Sequence, residues 1–112
     1  MKQVTAIIKP FKLNDVRDAL NAIGISGLTV TQVQGYGRQR GQGAVYRGPE
    51  YEIKFIPKLK IEVLVDSAEA ENVFQAILTA ANTGQLGDGK VYIHGIEKVA
   101  RIRTGEMDRD AL

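Results

Sequence analysis

An α+β fold built from two similar β-α-β units is what this 112-residue sequence predicts, and three observations predict it. Four runs read as strands, the clearest of them alternating apolar and polar residues at period two, and apolar residues recur at helical spacing in two others. The order strand, helix, strand occurs twice, over residues 2–34 and again over 58–99. A hydrophobic share of 44% suits one core, so residues 1–112 are read as a single domain.

The elements follow in order. "QVTAIIK" is a β-rich run bounded by Pro10. In "LNDVRDALNAIG" the apolar positions Leu13, Val16, Ala19, Leu20 and Ile23 fall on one helical face, with Asn14 as the expected N-cap and Gly24 as the left-handed stop. "LTVTQVQ" returns to β-branched residues. "YEIKFIPKLKIEVLVD" sets Tyr51, Ile53, Phe55, Leu59, Ile61, Val63 and Val65 on one side and Glu52, Lys54, Lys58, Lys60 and Glu62 on the other, the clearest strand of the chain. Pro57 lacks an amide donor and is expected to divide this strand at an edge or bulge, setting off a projecting arm. "DSAEAENVFQAILTAANTG" has the D-x-x-E capping pattern in Asp66 and Glu69, an apolar face of Val73, Ile77 and Ala80 broadened by Phe74, Leu78 and Ala81, and an expected stop at Gly84. "KVYIHGIEKV" is the last main strand. Two split β-α-β halves make a ferredoxin-like β-α-β-β-α-β sandwich. Two helices cover one face of four strands, and the other face needs a partner if it carries apolar side chains.

Composition narrows the function classes. Without cysteine there is no disulfide framework, thiolate metal site or thiol nucleophile, which suits a reducing cytoplasm. "MKQVTAIIKPFK" has too short an apolar run for a secretory leader, and no stretch approaches the roughly 20 apolar residues of a membrane span. Fifteen basic against 13 acidic residues give a net charge of +2, a balance that does not point to nucleic acid. The same element order occurs in RNA-recognition modules, which stack bases on aromatic residues of the two central strands. "VTAIIK" and "KLKIEVLV" carry none.

Three stretches carry candidate chemistry. The glycines of "TGQLGDGK", residues 83–90, permit close backbone approach, its amides can cradle an anion, and Lys90 adds a charge. An ordinary Asp-Gly turn explains the same residues, and the spacing is not that of the G-x-x-x-x-G-K-[ST] phosphate loop. In "RIRTGE", Arg101 and Arg103 stand two apart, so an extended segment would aim both forks the same way, either at phosphate oxygens or simply into solvent as a basic edge. Lys58, Lys60 and Glu62 share a strand face that is either hydrated or turned to another subunit. The one histidine, His94, sits in a strand with no cysteine or second histidine nearby, and no Ser-His-Asp or paired-carboxylate arrangement can be built around it. The stretch 35–55, "GYGRQRGQGAVYRGPEYEIKF", cannot bury a core of its own.

Taken together, "MKQVTAIIKPFKLNDVRDAL", "GYGRQRG", "YRGPEYEIKFIPKLKIEVLV" and "TGQLGDGKVYIHGIEKVARIRTGE", in this order and at this total length, resemble the nitrogen regulatory PII signal-transduction proteins. The resemblance spans the whole chain. It implies a homotrimer in which ATP and ADP compete for clefts between subunits and 2-oxoglutarate binds beside Mg-ATP. By the same resemblance the phosphates are held by Gly87, Asp88, Gly89 and Lys90, with Arg101 and Arg103 reaching in from the neighbouring subunit. Gly37 and Arg38 line the same cleft, and Gly27, Thr29 and Glu62 meet the base and ribose end. Gln39 completes the Mg2+ site with 2-oxoglutarate, and Lys58 pairs with a carboxylate of that acid. Residues 37–55 or so become the long T-loop, the output segment that docks on an ammonium transporter or on nitrogen-assimilation enzymes and their regulators; the membrane is met only through such a transporter. Tyr51 matches the uridylylation site. Pro49 stands where some relatives have a phosphorylated serine, so that route is closed here. The resemblance implies a cytoplasmic sensor, not an enzyme, without direct nucleic-acid contact. The competing reading is a small ferredoxin-like nucleotide-binding phosphotransfer enzyme, for which no nucleophile or general base is evident.

Overall fold

The computed structural model describes residues 1–38 and 53–112. Gln39, Tyr51 and most of the expected T-loop lie outside the described residues. Four strands, β1 (Lys2–Ile8), β2 (Thr29–Arg38), β3 (Ile53–Val65) and β4 (Lys90–Gly95), form one sheet in the order β2-β3-β1-β4, every neighbouring pair antiparallel. Each β-α-β unit is therefore split by the first strand of the other, as the ferredoxin-like reading requires.

Alternation along the strands decides which face is covered. Val4, Ala6 and Ile8 of β1 and Leu59, Ile61, Val63 and Val65 of β3 are buried. They pack against α1 (Leu13–Ala22), through Val16 and Leu20, and α2 (Ala70–Ala81), through Val73 and Ile77. The opposite face has no element over it among the described residues. It presents Gln3, Thr5 and Ile7 of β1, Lys58, Lys60, Glu62 and Leu64 of β3, Thr29, Thr31 and Val33 of β2, and Lys90, Tyr92 and His94 of β4, all level by register.

Several boundaries differ from the sequence reading. Asn14 does not cap α1: a 3-10 turn over Pro10–Lys12 has already begun the winding, with the Lys12 amide bonded to the Lys9 carbonyl at 3.0 Å, so Asn14 lies inside the helix. Gly24 does stop it. At φ 87° its amide bonds to Asn21 at 3.0 Å while that of Ile25 reaches Leu20 at 2.9 Å, the paired bonds of a Schellman end. Asp66 caps by accepting from the Ala68 amide at 3.2 Å, but what it caps is a 3-10 turn, Ser67–Glu69, and α2 begins after it. α2 ends at Ala81 with Asn82 extended, so the positive φ of Gly84 shapes the following loop and not the helix stop.

Pro57 does not divide β3, which runs unbroken from Ile53 to Val65. The last β1 residue pairs with Leu59, whereas β2 pairs on to Ile53, so Pro57 sits where β3 has a neighbour on one side only and a missing amide is tolerated. From there outward β2 and β3 form a two-stranded arm, with Tyr36 and Phe55 packed across it at 4.8 Å between ring centroids. The projecting arm is as expected. Its cause is the shorter β1, not a break at proline.

Candidate functional site

Register alone gathers the first cluster. Ile7 is level with Lys60 of β3 and Lys90 of β4, so two residues further along β1 the chain brings Lys9 level with Lys58 on one side and Asp88 on the other, all on the uncovered face. Lys9 stays extended, φ −67° and ψ 138°, which carries its side chain there. Its ammonium lies 3.1 Å from Asp88 Oδ1 and donates to Thr83 Oγ1 at 3.2 Å. Lys58 donates to the carbonyl of Gly87. The methylene chain of Lys58 lies over Gly35 of the arm, where an added Cβ would meet its Cγ at 3.5 Å.

Asp88 organises the loop from inside. Its carboxylate accepts from the Thr83 hydroxyl, from the Thr83 amide at 2.8 Å and from the Gly84 amide at 3.0 Å. Those bonds, the Thr83 hydroxyl foremost, hold its pKa well below the usual carboxylate range against the opposing effect of partial burial, with Lys9 helping. Burial, and then the charge of Lys9, push the Lys58 ammonium below its ordinary value, while Asp88 pulls it back. Gly89 has no alternative: at φ 91° a Cβ would stand 1.8 Å from the Ile7 carbonyl oxygen, because the loop passes directly against the end of β1. The amides of 83–85 are thus already engaged, that of Gln85 by Thr83 Oγ1 at 3.1 Å, and an anion cradle in this loop falls to the residues after them.

The second cluster lies at the other end of the same face. Thr29 of β2 is level with Glu62 of β3, and Gln3 of β1 donates to Glu62 Oε2 at 3.0 Å. Gly27, Thr29 and Glu62 line one cleft of about 380 Å³, whose rim also includes Ala111 and Leu112. Arg101 is tied to this end, its guanidinium donating to Glu106 at 3.2 Å and to the carbonyl of Leu112 at 3.2 Å.

The expected extended pair of arginines is corrected. Residues 100–107 form a turn, with Ala100 bridged to Met107, the Gly105 amide bonded to the Arg101 carbonyl at 2.7 Å and Gly105 at φ 75°. Arg101 folds back on Glu106, and Ile102 projects wholly into solvent. The structure therefore brings together Lys58 with Gly87, Asp88 and Gly89, and separately Gly27, Thr29 and Glu62. It does not join the two groups, and Arg101 and Arg103 make no hydrogen bond or ion pair to the 83–90 loop among the described residues. Gly37 and Arg38 end β2 four and five residues beyond Val33, the partner of Lys58, which is about 13 Å or more out along the arm. Lys90 opens β4 on the uncovered face. Sequence reasoning missed Lys9 and Thr83; extending the alternation of Thr5 and Ile7 by one step would have put Lys9 beside Lys58.

The model of the family described as "Nitrogen regulatory protein P-II" matches residues 1–106. The chain belongs to the nitrogen regulatory protein P-II family. It is 58% identical over 112 residues to a nitrogen regulatory protein P-II of Rhizobium etli and 54% identical over 112 residues to the nitrogen regulatory protein GlnK of Escherichia coli, in both cases covering 100% of each chain. A P-II of Pasteurella multocida is 50% identical over the same length, again with 100% of both chains covered. Members of the P-II family are regulators of nitrogen metabolism acting on target proteins, and the phosphotransfer-enzyme reading is set aside on that ground. No helix among the described residues is long and apolar enough to cross a membrane.

Proposed function

We propose that this P-II protein is a trimeric sensor in which ATP or ADP and 2-oxoglutarate set the state of the segment around 39–52, which in turn engages or releases target proteins. The observation that carries this reading is the meeting of Lys9, Lys58 and Asp88 at the root of the arm. Two ammonium groups and one deeply acidic carboxylate leave a net positive corner, suited to a small dianion beside a polyphosphate. Lys58 already holds a neutral carbonyl, and an arriving carboxylate offers it an acceptor of full opposite charge instead. Once Lys58 changes partner, Gly87 of the loop and Gly35 of the arm both lose the group that spans them. That is a route from ligand to output.

Nucleotide phosphates fall in this reading to Gly87, Asp88, Gly89 and Lys90, with Arg101 and Arg103 from a neighbouring subunit and Gly37 and Arg38 at the arm. Gly27, Thr29 and Glu62 take the base and ribose end. Mg2+ is ordinarily bound by one or two protein groups together with phosphate oxygens. In this reading the ion is held by Gln39 and the ligands' own oxygens. The ion would neutralise phosphate and acid charge there. Tyr51 is the residue for uridylylation, which would add charge and bulk to the docking segment. The targets are an ammonium transporter or nitrogen-assimilation enzymes and their regulators, met in the cytoplasm.

Calorimetry with 2-oxoglutarate, run with and without Mg-ATP, tests the reading: binding is expected only with Mg-ATP present, and binding that ignores the nucleotide overturns it. In Arg103→Ala the ATP affinity should fall roughly 10- to 150-fold, the loss of a hydrogen bond to a charged group.

A further inference from the structure

The cleft that holds Gly27, Thr29 and Glu62 is also lined by Gln3. Gln3 stands diagonally across from Glu62, since Thr5 is level with Glu62 and Gln3 with Leu64. Its amide nitrogen donates to Glu62 Oε2 at 3.0 Å and to Thr5 Oγ1 at 3.0 Å. A carboxamide nitrogen has two protons, and both are thereby committed. Thr5 is only 2% exposed, so one of these bonds is anchored in the body of the sheet and the other reaches out to the cleft. Among the described residues Gln3 is the side chain that bonds Glu62. One carboxylate oxygen is held, and the other, Oε1, is left to a ligand.

We propose that Gln3 is a positioning residue: its direct hydrogen bond fixes the orientation of the Glu62 carboxylate, and so sets the preference of this cleft for a nucleoside end that offers hydrogen-bond donors. The proposal rests on the nucleotide reading given above. An acceptor-only carboxylate, held in one orientation, rewards a ribose hydroxyl or an exocyclic amine and penalises a ligand that puts a carbonyl or a bare carbon in the same place. A freely rotating carboxylate would discriminate less, because it can turn away and be met by water.

The test is a double-mutant cycle on the full chain with Gln3→Met, Glu62→Gln and the two combined, measuring affinity for ATP, 2′-deoxy-ATP and inosine triphosphate. The second ligand lacks a ribose hydroxyl and the third replaces the exocyclic amine by a carbonyl, so the arms tell the two donor sources apart. Gln3→Met, which keeps the length of the side chain and removes its donors, should weaken ATP about 3- to 10-fold, the scale of one hydrogen bond, and shrink the discrimination against one analogue by a similar factor. In the Glu62→Gln background it should add little. Thr5→Val removes the other bond and spares the one to Glu62; it should lower thermal stability with far less effect on discrimination, whereas a merely structural role for Gln3 would make the two variants alike. Additive losses at Gln3 and Glu62, or undiminished discrimination in Gln3→Met, overturn the proposal. Should the parent chain bind no ATP, the nucleotide reading falls, and Gln3 is judged by NMR: its side-chain amide protons should exchange slowly in the parent and faster in Glu62→Gln, and fast exchange in both overturns the positioning role.

Discussion

Asp88 shows how far a single side chain can organise this site. Three donors from Thr83 and Gly84, together with Lys9, stabilise its ionised form, and the loop they close is the one that Gly89 presses against β1. A carboxylate whose acidity is strengthened on folding contributes stability that is complete above its unfolded value of about 3.9 and is lost as the pH falls through the lower folded value. Asp88→Asn should therefore be clearly less stable than the parent at pH 7 in urea unfolding, and the gap should narrow steadily below pH 4. A gap that is the same at pH 7 and pH 2.5 would mean that the charge of Asp88 does not hold the loop. At this scale the sequence was partly legible. The glycines and acid of "TGQLGDGK" marked the loop, but not that its own carboxylate fills part of it, because which amides a side chain caps depends on the path of the loop. An extended path for "RIRTGE", the condition for both arginines pointing one way, fails because Gly105 and the bridge from Ala100 to Met107 close a turn that period-two reasoning does not see.

Among the elements, helices and strands followed the apolar spacing, and their ends did not. α2 buries Val73 and Ile77 as its periodicity requires, whereas Leu78, expected on the broadened face, is 47% exposed. Ile77→Ala should cost about 2–5 kcal/mol, the range for deleting a buried branched side chain. Ile102→Ala, at a position fully in solvent, should stay within about 0.5 kcal/mol. Chemical denaturation of both variants checks the pair, and similar losses in the two would place the core elsewhere. Pro57 teaches the converse lesson: proline was read as a breaker, yet the strand continues through it, because what a strand tolerates depends on whether its neighbour has ended.

For the whole molecule, the order β2-β3-β1-β4 leaves one sheet face without helices, and Leu64 and Tyr92 stand on it 42% and 45% exposed among lysines and threonines. Such a face calls for protein on the other side. The proposed trimer should scatter light as about three times the 12.3 kDa chain, and a clean monomer at micromolar concentration would remove the intersubunit site with it. The face itself was legible from alternation alone; a number of subunits is not, since nothing in a strand's period counts them. The segment at the far end of the molecule has a practical bearing. Arg101 grips the carbonyl of Leu112, and Ala111 and Leu112 border the cleft of Gly27, Thr29 and Glu62. Residues fused after Leu112 would begin at the border of that cleft, so nucleotide affinities measured with and without such an extension should not be expected to agree.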